Sequence, residues 1–319
     1  TTAPAPANTV TEQLTRAGQS IEHGSFAIID AEAGPHAYTA DQWPIVRRMI
    51  HANADFEFNG LTEFHPRATE AGLQAILRGG APIVRGVSLT VRAGATVGLI
   101  GPNGSGKSSL MRLLAGVTQP QSGEVLLGGQ PMQRLTRRQI AHQLALVSQM
   151  ADTQDAITVQ DAVELGRTPW LSALQTWSAR DDAIVEQALA DVGMAEKKGR
   201  VWNTLSGGER QRVHIARALA QQTSVLLLDE PGNHLDIHHQ LALGQLIHRL
   251  PGTKVMAIHD LNQARHCDWL AVMQQGRLVC EGAPDDVLQA DLLEKVFEVR
   301  LRVLTDPEDG ARVLRFLPL

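Results

Sequence analysis

The sequence predicts an α/β fold, because three apolar runs of strand length each end at residues that carry chemistry. Thr96–Ile100 leads into a glycine-rich loop and then into a helical apolar pattern. Val225–Glu230 ends in two carboxylates, and Val255–His259 ends in an imidazole. Unbroken apolar runs are typical of parallel strands that are covered on both faces. Since doubly wound sheets bind ligands where their strands end, we expect the functional residues at these positions.

The composition restricts the possible function classes. At 319 residues, with 43% hydrophobic and 20% charged residues, the chain is long enough for one large or two modest domains. A net charge of -5 and 4% aromatic residues argue against nucleic-acid binding. Cys267 and Cys280 lack the spacing of a zinc site or a disulfide framework, so we expect a reducing compartment. The sequence shows neither a long apolar run nor a signal-peptide pattern, so we expect any membrane role to come through a partner.

The run Thr96–Ile100 is followed by a complete phosphate-binding loop pattern. The loop residues are Gly101, Pro102, Asn103, Gly104, Ser105, Gly106, Lys107 and Ser108. The glycines let successive N–H groups point at phosphate oxygens at a helix N-terminus. Lys107 is then expected to reach the β- and γ-phosphates, and Ser108 to offer its hydroxyl to Mg²⁺. The alternative is a glycine-rich turn with a chance lysine, but the flanking strand and helix patterns favour the phosphate site.

Asp229 and Glu230 stand where the second apolar run ends. We expect Asp229 to hold Mg²⁺, often through water. Transfer of a γ-phosphoryl group to water needs an oriented nucleophile, so we expect Glu230 to polarise the attacking water. An apolar run that ends in Asp-Glu is weak evidence by itself, and the phosphate-binding loop makes it strong.

A third motif, Leu205–Gln211, reads Leu-Ser-Gly-Gly-Glu-Arg-Gln and opens a predicted helix. Ser206 and Glu209 have the spacing of a capping box. The Ser206 hydroxyl and the amides of Gly207 and Gly208 would therefore stand at a positive helix end, which can bind phosphate. The alternative is an ordinary helix cap without a ligand.

The first eighty residues have a different sequence pattern from the rest of the chain. Residues 1–20 are predicted to be a disordered leader. Apolar periodicity predicts one helix that includes Ile45–Ile50. A second helix is predicted to start at Pro66, to continue through Leu73–Leu77 and to stop at the following glycine pair. The N-terminal region is thus expected to be a short α/β segment.

Residues 21–82 resemble the N-terminal part of precorrin methylmutases. The matching stretches are Ser25–Ile29, Val46–Ala52 and Gly79–Val84. In that family the histidine of the Met-Ile-His text is the catalytic acid, so the resemblance makes His51 the matching position. The alternative for His51 is a structural histidine at a helix end. The resemblance covers only about the first eighty residues, and the rest of that enzyme is absent.

From about residue 83 to 319 the sequence resembles the ATP-binding subunit of an ABC transporter, whose signature sequence Leu205–Gln211 matches. The resemblance implies a mixed sheet core, a helical subdomain at about residues 150–220, and ATP with Mg²⁺. It makes Gln149 a residue that touches Mg²⁺, and His259 a catalytic residue that contacts the γ-phosphate. It makes Asp236 a contact to a second cassette. The nucleotide-binding set is then the loop with Ser109, Gln149, Ser206, Gly207, Gly208, Glu209 and Asp236.

The same resemblance implies partners and a location. In the family two cassettes sandwich two ATP molecules head to tail, so the signature of one meets the γ-phosphate that the other binds. A second cassette, transmembrane permease subunits and, indirectly, a solute-binding protein are therefore expected. The chain would work peripherally at the cytoplasmic face of the inner membrane. Thr158–Pro169 resembles the subgroup that serves iron-siderophore, haem and cobalamin importers.

Two other functions stay open. A soluble ABC ATPase of translation or repair would usually carry two cassettes or a long insertion. A corrin-pathway or tetrapyrrole-binding role would need the missing part of the methylmutase. The sequence also places Arg78 in or near the position of the family's adenine-stacking aromatic residue, with the first family strand replaced by a helix. We therefore expect weaker ATP binding and a reduced preference for ATP over GTP.

Overall fold

The computed structural model describes residues 73–77, 83–148, 157–172, 174–233, 235–305, 307 and 312–317. The predicted leader, the predicted helix through Ile45–Ile50, His51, Arg78 and Gln149 lie outside these residues. No helix in the described part of the chain is both long and apolar enough to cross a membrane. The described residues form two compact units. The first consists of residues 136–142, 157–172 and 174–222, and the second of all other described residues.

The second unit contains the described strands and five described α-helices. Strands and α-helices are numbered in the order of the whole chain. Its strands are β1 (Leu73–Leu77), β2 (Ser88–Val91), β3 (Thr96–Ile100), β4 (Gly123–Leu127), β5 (Gln130–Pro131), β6 (Leu144–Val147), β7 (Val225–Asp229), β8 (Thr253–Ala257), β9 (Trp269–Gln274), β10 (Arg277–Gly282), β11 (Arg300–Thr305) and β12 (Arg312–Leu317). Its α-helices are α1 (Lys107–Leu114), α6 (Ile237–Arg249), α7 (Leu261–Ala264), α8 (Pro284–Val287) and α9 (Ala290–Phe297).

A six-stranded mixed sheet forms the core of the second unit, with the order β10-β9-β3-β8-β7-β6. Neighbours from β9 to β6 are parallel, and β10 pairs with β9 in the antiparallel direction. All residues of β3 and β7 are buried, as expected for strands covered on both faces. The predicted α/β fold with a mixed sheet is confirmed.

A second, antiparallel sheet has the order β2-β1-β4-β5. In it β1 lies between two partners, with Leu73 opposite Val91 on one side and Leu127 on the other. The prediction of a helix through Leu73–Leu77 is therefore wrong, and the first strand is not replaced by a helix. A five-residue apolar stretch fits the periods of both a helix and a strand. Backbone pairing with strands on both sides stabilises the strand, and local periodicity gives no information about such pairing.

The hairpin of β11 and β12 packs on the same unit through one buried leucine from each strand. Leu301 and Leu314 are buried, and they join a core cluster with Val287, Leu293 and Val296 from α8 and α9. Most other described side chains of the hairpin are exposed.

The first unit is helical. Its helices are α2 (Arg137–Ala141), α3 (Val159–Glu164), α4 (Ala179–Asp191) and α5 (Gly207–Ala220), with a 3₁₀ segment at Leu165–Trp170. Buried polar contacts fix that segment, because Arg167 Nε lies 2.9 Å from Asp181 Oδ1. Arg167 also donates from Nη1 to the Ala220 carbonyl at 2.8 Å. The ring of His142 stacks on Trp170 with a centroid distance of 4.3 Å.

Candidate functional site

The phosphate-binding loop follows β3 and leads into α1, as predicted. Gly101, Gly104 and Gly106 have φ angles of +150°, +76° and +100°, which side chains rarely adopt. A Cβ on Gly101 would lie 2.1 Å from the Met273 carbonyl oxygen, so close approach also requires glycine there. No side chain caps the N-terminus of α1 in the described part of the chain. Its amides are therefore available to an anion.

Ser105 is a second indication that the loop fits phosphate. Its hydroxyl oxygen is buried and has no hydrogen-bond partner among the described residues. An unpaired buried polar atom costs free energy unless a ligand or water satisfies it. A phosphate oxygen in the loop is a suitable acceptor for this hydroxyl.

Lys107 lies across the loop, as a phosphate-binding lysine should. Its Nζ donates to the carbonyl oxygens of Gly101 at 2.8 Å and Pro102 at 3.3 Å. The residue is 4% exposed. Burial lowers the pKa of Lys107, and the nearby carboxylates of Glu230 and Asp229 act in the opposite direction. A bound triphosphate would compensate this buried charge directly.

Ser108 and Asp229 form an oxygen pair beside the loop. Ser108 Oγ donates to Asp229 Oδ1 at 3.2 Å, so the start of α1 contacts the end of β7. Burial raises the pKa of Asp229, while the hydrogen bond from Ser108 acts against this rise. Hydroxyl and carboxylate oxygens are the ligands that Mg²⁺ prefers. The donor set therefore fits that ion.

Glu230 is held by residues on two different segments. Its Oε1 lies 2.5 Å from Nε2 of His259, which is the second residue after β8. Its Oε2 accepts a hydrogen bond of 3.1 Å from Asn233 Nδ2. Glu230 has a φ of +51°, which is uncommon for a residue other than glycine and is often found at functional sites. The arrangement fixes the direction of a carboxylate beside the loop.

Asn233 is the residue that sequence reasoning missed at this site. It stands three residues after Glu230 and was not among the predicted site residues. A polar side chain three residues after the acid was the available signal, since Asn readily makes local hydrogen bonds in turns. A second missed contact is the turn between β9 and β10, where the Gly276 N–H donates to Ser105 O at 2.9 Å.

The signature segment lies in the first unit and forms the predicted capping box. Ser206 Oγ accepts from the Glu209 N–H at 3.3 Å, and Glu209 Oε2 accepts from the Ser206 N–H at 2.7 Å. Lys197 Nζ lies 2.6 Å from Glu209 Oε1. The bond from Lys197 is the largest cause that lowers the pKa of Glu209 to about 2. Since the Glu209 carboxylate is engaged, the groups open to phosphate are the Ser206 hydroxyl and the amides of Gly207 and Gly208.

Asp236 is placed in the second unit as the N-cap of α6. Its Oδ1 accepts from the His239 N–H at 2.9 Å, and its side chain is 65% exposed. The loop, Asp229, Glu230 and His259 therefore lie together in the second unit. Asp236 is exposed in the same unit, and the signature segment belongs to the first unit. Ser109 follows Ser108 in α1 and is half-buried.

These features define a phosphate-loop protein with an α/β core that is built to bind a nucleoside triphosphate. Comparison with known proteins makes the class specific. The ABC transporter family profile matches residues 84–233. The ferric enterobactin transport ATP-binding protein of Escherichia coli (strain K12) is 36% identical over 72% of this chain and 86% of its own length. The chain therefore belongs to the ATP-binding proteins of ABC transporters.

Other similarities agree with this family. The cobalamin import ATP-binding protein of Halobacterium salinarum is 41% identical over 75% of this chain. The match spans only 61% of the length of that relative. A solved ABC transporter described as of metal-chelate type, in an inward-facing conformation, aligns with a TM-score of 0.68 over 79% of this chain and 98% of its own. At 23% identity this likeness shows the fold alone.

The N-terminal resemblance is also found independently. The precorrin-8X methylmutase family matches residues 20–98, which include β1 and β2. The resemblance predicted for residues 21–82 is thus confirmed. His51 lies within the match but outside the described residues, so its role stays a prediction.

Proposed function

We propose that the chain is the ATP-hydrolysing subunit of an ABC importer whose cargo is an iron chelate, haem or cobalamin. Relatives that are named for ferric enterobactin transport and for cobalamin import support this cargo class. The observation that carries the hydrolytic activity is the Glu230 carboxylate, which His259 and Asn233 hold at 2.5 and 3.1 Å beside the phosphate-binding loop.

Each side chain then has a role in moving the γ-phosphoryl group to water. The loop amides and Lys107 bind the phosphates of ATP and stabilise their charge. Ser108 and Asp229, with Gln149 in the proposed set, would hold Mg²⁺, which would supply neutralisation of the phosphate charge. Glu230 orients the attacking water and accepts its hydrogen bond. His259 positions Glu230 and would contact the γ-phosphate.

The proposed assembly rests on the family arrangement, in which the signature of one cassette meets the ATP that the other cassette binds. Ser206, Gly207 and Gly208 at the start of α5, and Asp236, would face the nucleotide of a second cassette, which gives a homodimer. The dimer would work peripherally on permease subunits at the cytoplasmic face of the membrane, and a solute-binding protein would deliver the cargo.

The direct test replaces Glu230 by glutamine in the full chain. Glu230→Gln should bind ATP as tightly as the parent and hydrolyse it about 100-fold or more slowly, because the water loses its base while the phosphate cradle remains. Glu186→Gln is the matched control, since Glu186 is an exposed carboxylate in the other unit. Hydrolysis within twofold of the parent in Glu230→Gln would refute the role. Co-purification from membranes then identifies the permease and the solute that stimulates hydrolysis.

A second candidate role comes from the methylmutase match at residues 20–98. This match favours binding of a corrin or another tetrapyrrole by the N-terminal region. Titration of the full chain with a corrinoid tests it, because binding would shift the visible absorption of the pigment. An unchanged spectrum at micromolar protein would remove this role and leave the ATPase assignment intact.

A further inference from the structure

Three metal-ligating side chains meet at the N-terminus of α6. They belong to Asp236, His238 and His239, and one ligand atom from each lies within 4.8 Å of the others. His239 Nδ1 and Asp236 Oδ2 are 2.7 Å apart. The rings of His238 and His239 are nearly perpendicular, at 89°, with centroids 5.4 Å apart. The two imidazoles are therefore not stacked face to face.

These spacings fit a single bound ion. Zn²⁺ lies about 2.0–2.1 Å from imidazole nitrogens and about 2.0–2.2 Å from carboxylate oxygens, so two ligand atoms on a tetrahedral ion stand about 3.3 Å apart. The contact between His239 and Asp236 is slightly shorter than this separation. The third ligand atom, on His238, lies within 4.8 Å of the other two. It can approach them by a small side-chain movement, because Asp236 and His238 are exposed at the surface.

We propose that Asp236, His238 and His239 form a surface site for a divalent transition-metal ion such as Zn²⁺. Two imidazole nitrogens and one carboxylate favour Zn²⁺, Co²⁺, Ni²⁺ or Cu²⁺ over Mg²⁺ and Ca²⁺, which prefer oxygen ligands throughout. The site therefore differs in chemistry from the oxygen pair of Ser108 and Asp229. Three protein ligands leave a coordination position for water or a group from another molecule.

The local charges affect the affinity of the site for a cation. The N-terminus of α6 carries a partial positive charge, which acts against a cation. The Asp236 carboxylate offsets that charge, since it caps the helix through Oδ1 and keeps Oδ2 directed at His239. The segment just before Asp236 is also held by α6, because Gln240 Nε2 donates to the Leu235 carbonyl at 3.0 Å. The ligands are thus held on a segment with little freedom to separate.

Metal titration of the untagged, nucleotide-free full chain tests the proposal. The sequence contains 12 histidines, so the informative quantity is the difference between the parent and a variant. Zn²⁺ binding is measured by calorimetry, and Co²⁺ binding by visible absorption. Since loss of outer-shell partners alone weakens metal sites by about 10–100-fold, His238→Asn should lose at least tenfold in affinity for one equivalent. His248→Asn is the matched control, because His248 is exposed on the same helix.

A second measurement localises the site. Zn²⁺ should slow hydrogen exchange of the His239 amide, which depends on the Asp236 cap, in the parent and in His248→Asn but not in His238→Asn. His238 is exposed, so its replacement leaves the fold intact, which circular dichroism checks. Equal Zn²⁺ affinity and stoichiometry in the parent and in His238→Asn would overturn the proposal. Unchanged exchange at the start of α6 on Zn²⁺ saturation would overturn it as well.

Discussion

Replacement of Gly276 by alanine should disturb the phosphate-binding loop from behind. Gly276 lies in the turn between β9 and β10 with a φ of +79°, and an added Cβ would lie 2.0 Å from the carbonyl oxygen of Ile83. Its N–H donates to Ser105 O at 2.9 Å, and its carbonyl accepts from the Arg85 N–H at 2.6 Å. Because both bonds are backbone contacts, the turn cannot move away from Ile83 without moving the loop.

The expected cost has two parts. A non-glycine residue in the left-handed region costs about 1–2 kcal/mol. Overpacking against backbone that cannot yield adds about 1–3 kcal/mol. Gly94→Ala separates these parts, because Gly94 has a φ of +78° and nothing within 4 Å of an added Cβ. We therefore expect Gly276→Ala to destabilise the second unit by about 1–3 kcal/mol more than Gly94→Ala.

Two measurements test the prediction for Gly276→Ala: local hydrogen exchange and nucleotide affinity. Hydrogen exchange of β3 and β9 amides reports the stability of the second unit without assuming that the whole chain unfolds in one step. ATP affinity, followed with a fluorescent analogue, should fall at least about fivefold in Gly276→Ala relative to Gly94→Ala, since the loop loses its support. If the two variants exchange and bind alike, the close approach of Ile83 to the turn does not constrain the loop.

Two further predictions concern the first unit. Asp181→Asn should destabilise it by about 3 kcal/mol or more, because the Arg167 guanidinium is left buried without its charge partner. Glu186→Gln, which removes an exposed pair, should cost less than about 1 kcal/mol, and equal denaturant midpoints for the two variants would contradict this. Burial lowers the pKa of His142 to about 4. Since the unfolded histidine takes up its proton near pH 6.5, stability should fall with pH from about 6.5 to about 4, at about 1.4 kcal/mol per pH unit. His142→Gln should lack this part of the slope, and an unchanged slope in urea unfolding across that range would show that His142 is not its source.

The parts of the molecule that the sequence predicted correctly are those with a local signal. The phosphate-binding loop needs a strand before it, three glycines inside it and a helix after it, all within about twenty residues of sequence. The capping box of Ser206 and Glu209 is likewise set by a three-residue spacing. Strand ends at Glu230 and His259 were visible because apolar runs stop there. Such patterns describe short-range geometry, which neighbouring residues largely determine.

The parts that the sequence could not predict depend on contacts between distant segments. The strand β1 needs β2 and β4 on either side, and its own five residues are ambiguous. The support of the loop by Gly276 joins residues far apart in the chain. The contact between Glu209 and Lys197 depends on where the 3₁₀ turn Ala195–Lys197 places the lysine. The hydrophobic periodicity of the sequence does not predict these contacts between distant segments.

The position of β1 bears on how the two family resemblances join. The ABC transporter family profile begins at residue 84, while the methylmutase family match at residues 20–98 includes β1. Yet β1 pairs along its length with β4, from Leu73 opposite Leu127 to Leu77 opposite Gly123. A sheet in which β2 and β4 lost this central partner would expose unpaired backbone groups on both strands. The antiparallel sheet therefore includes Leu73–Leu77, and residues within the methylmutase match serve there as a strand of the ATP-binding protein.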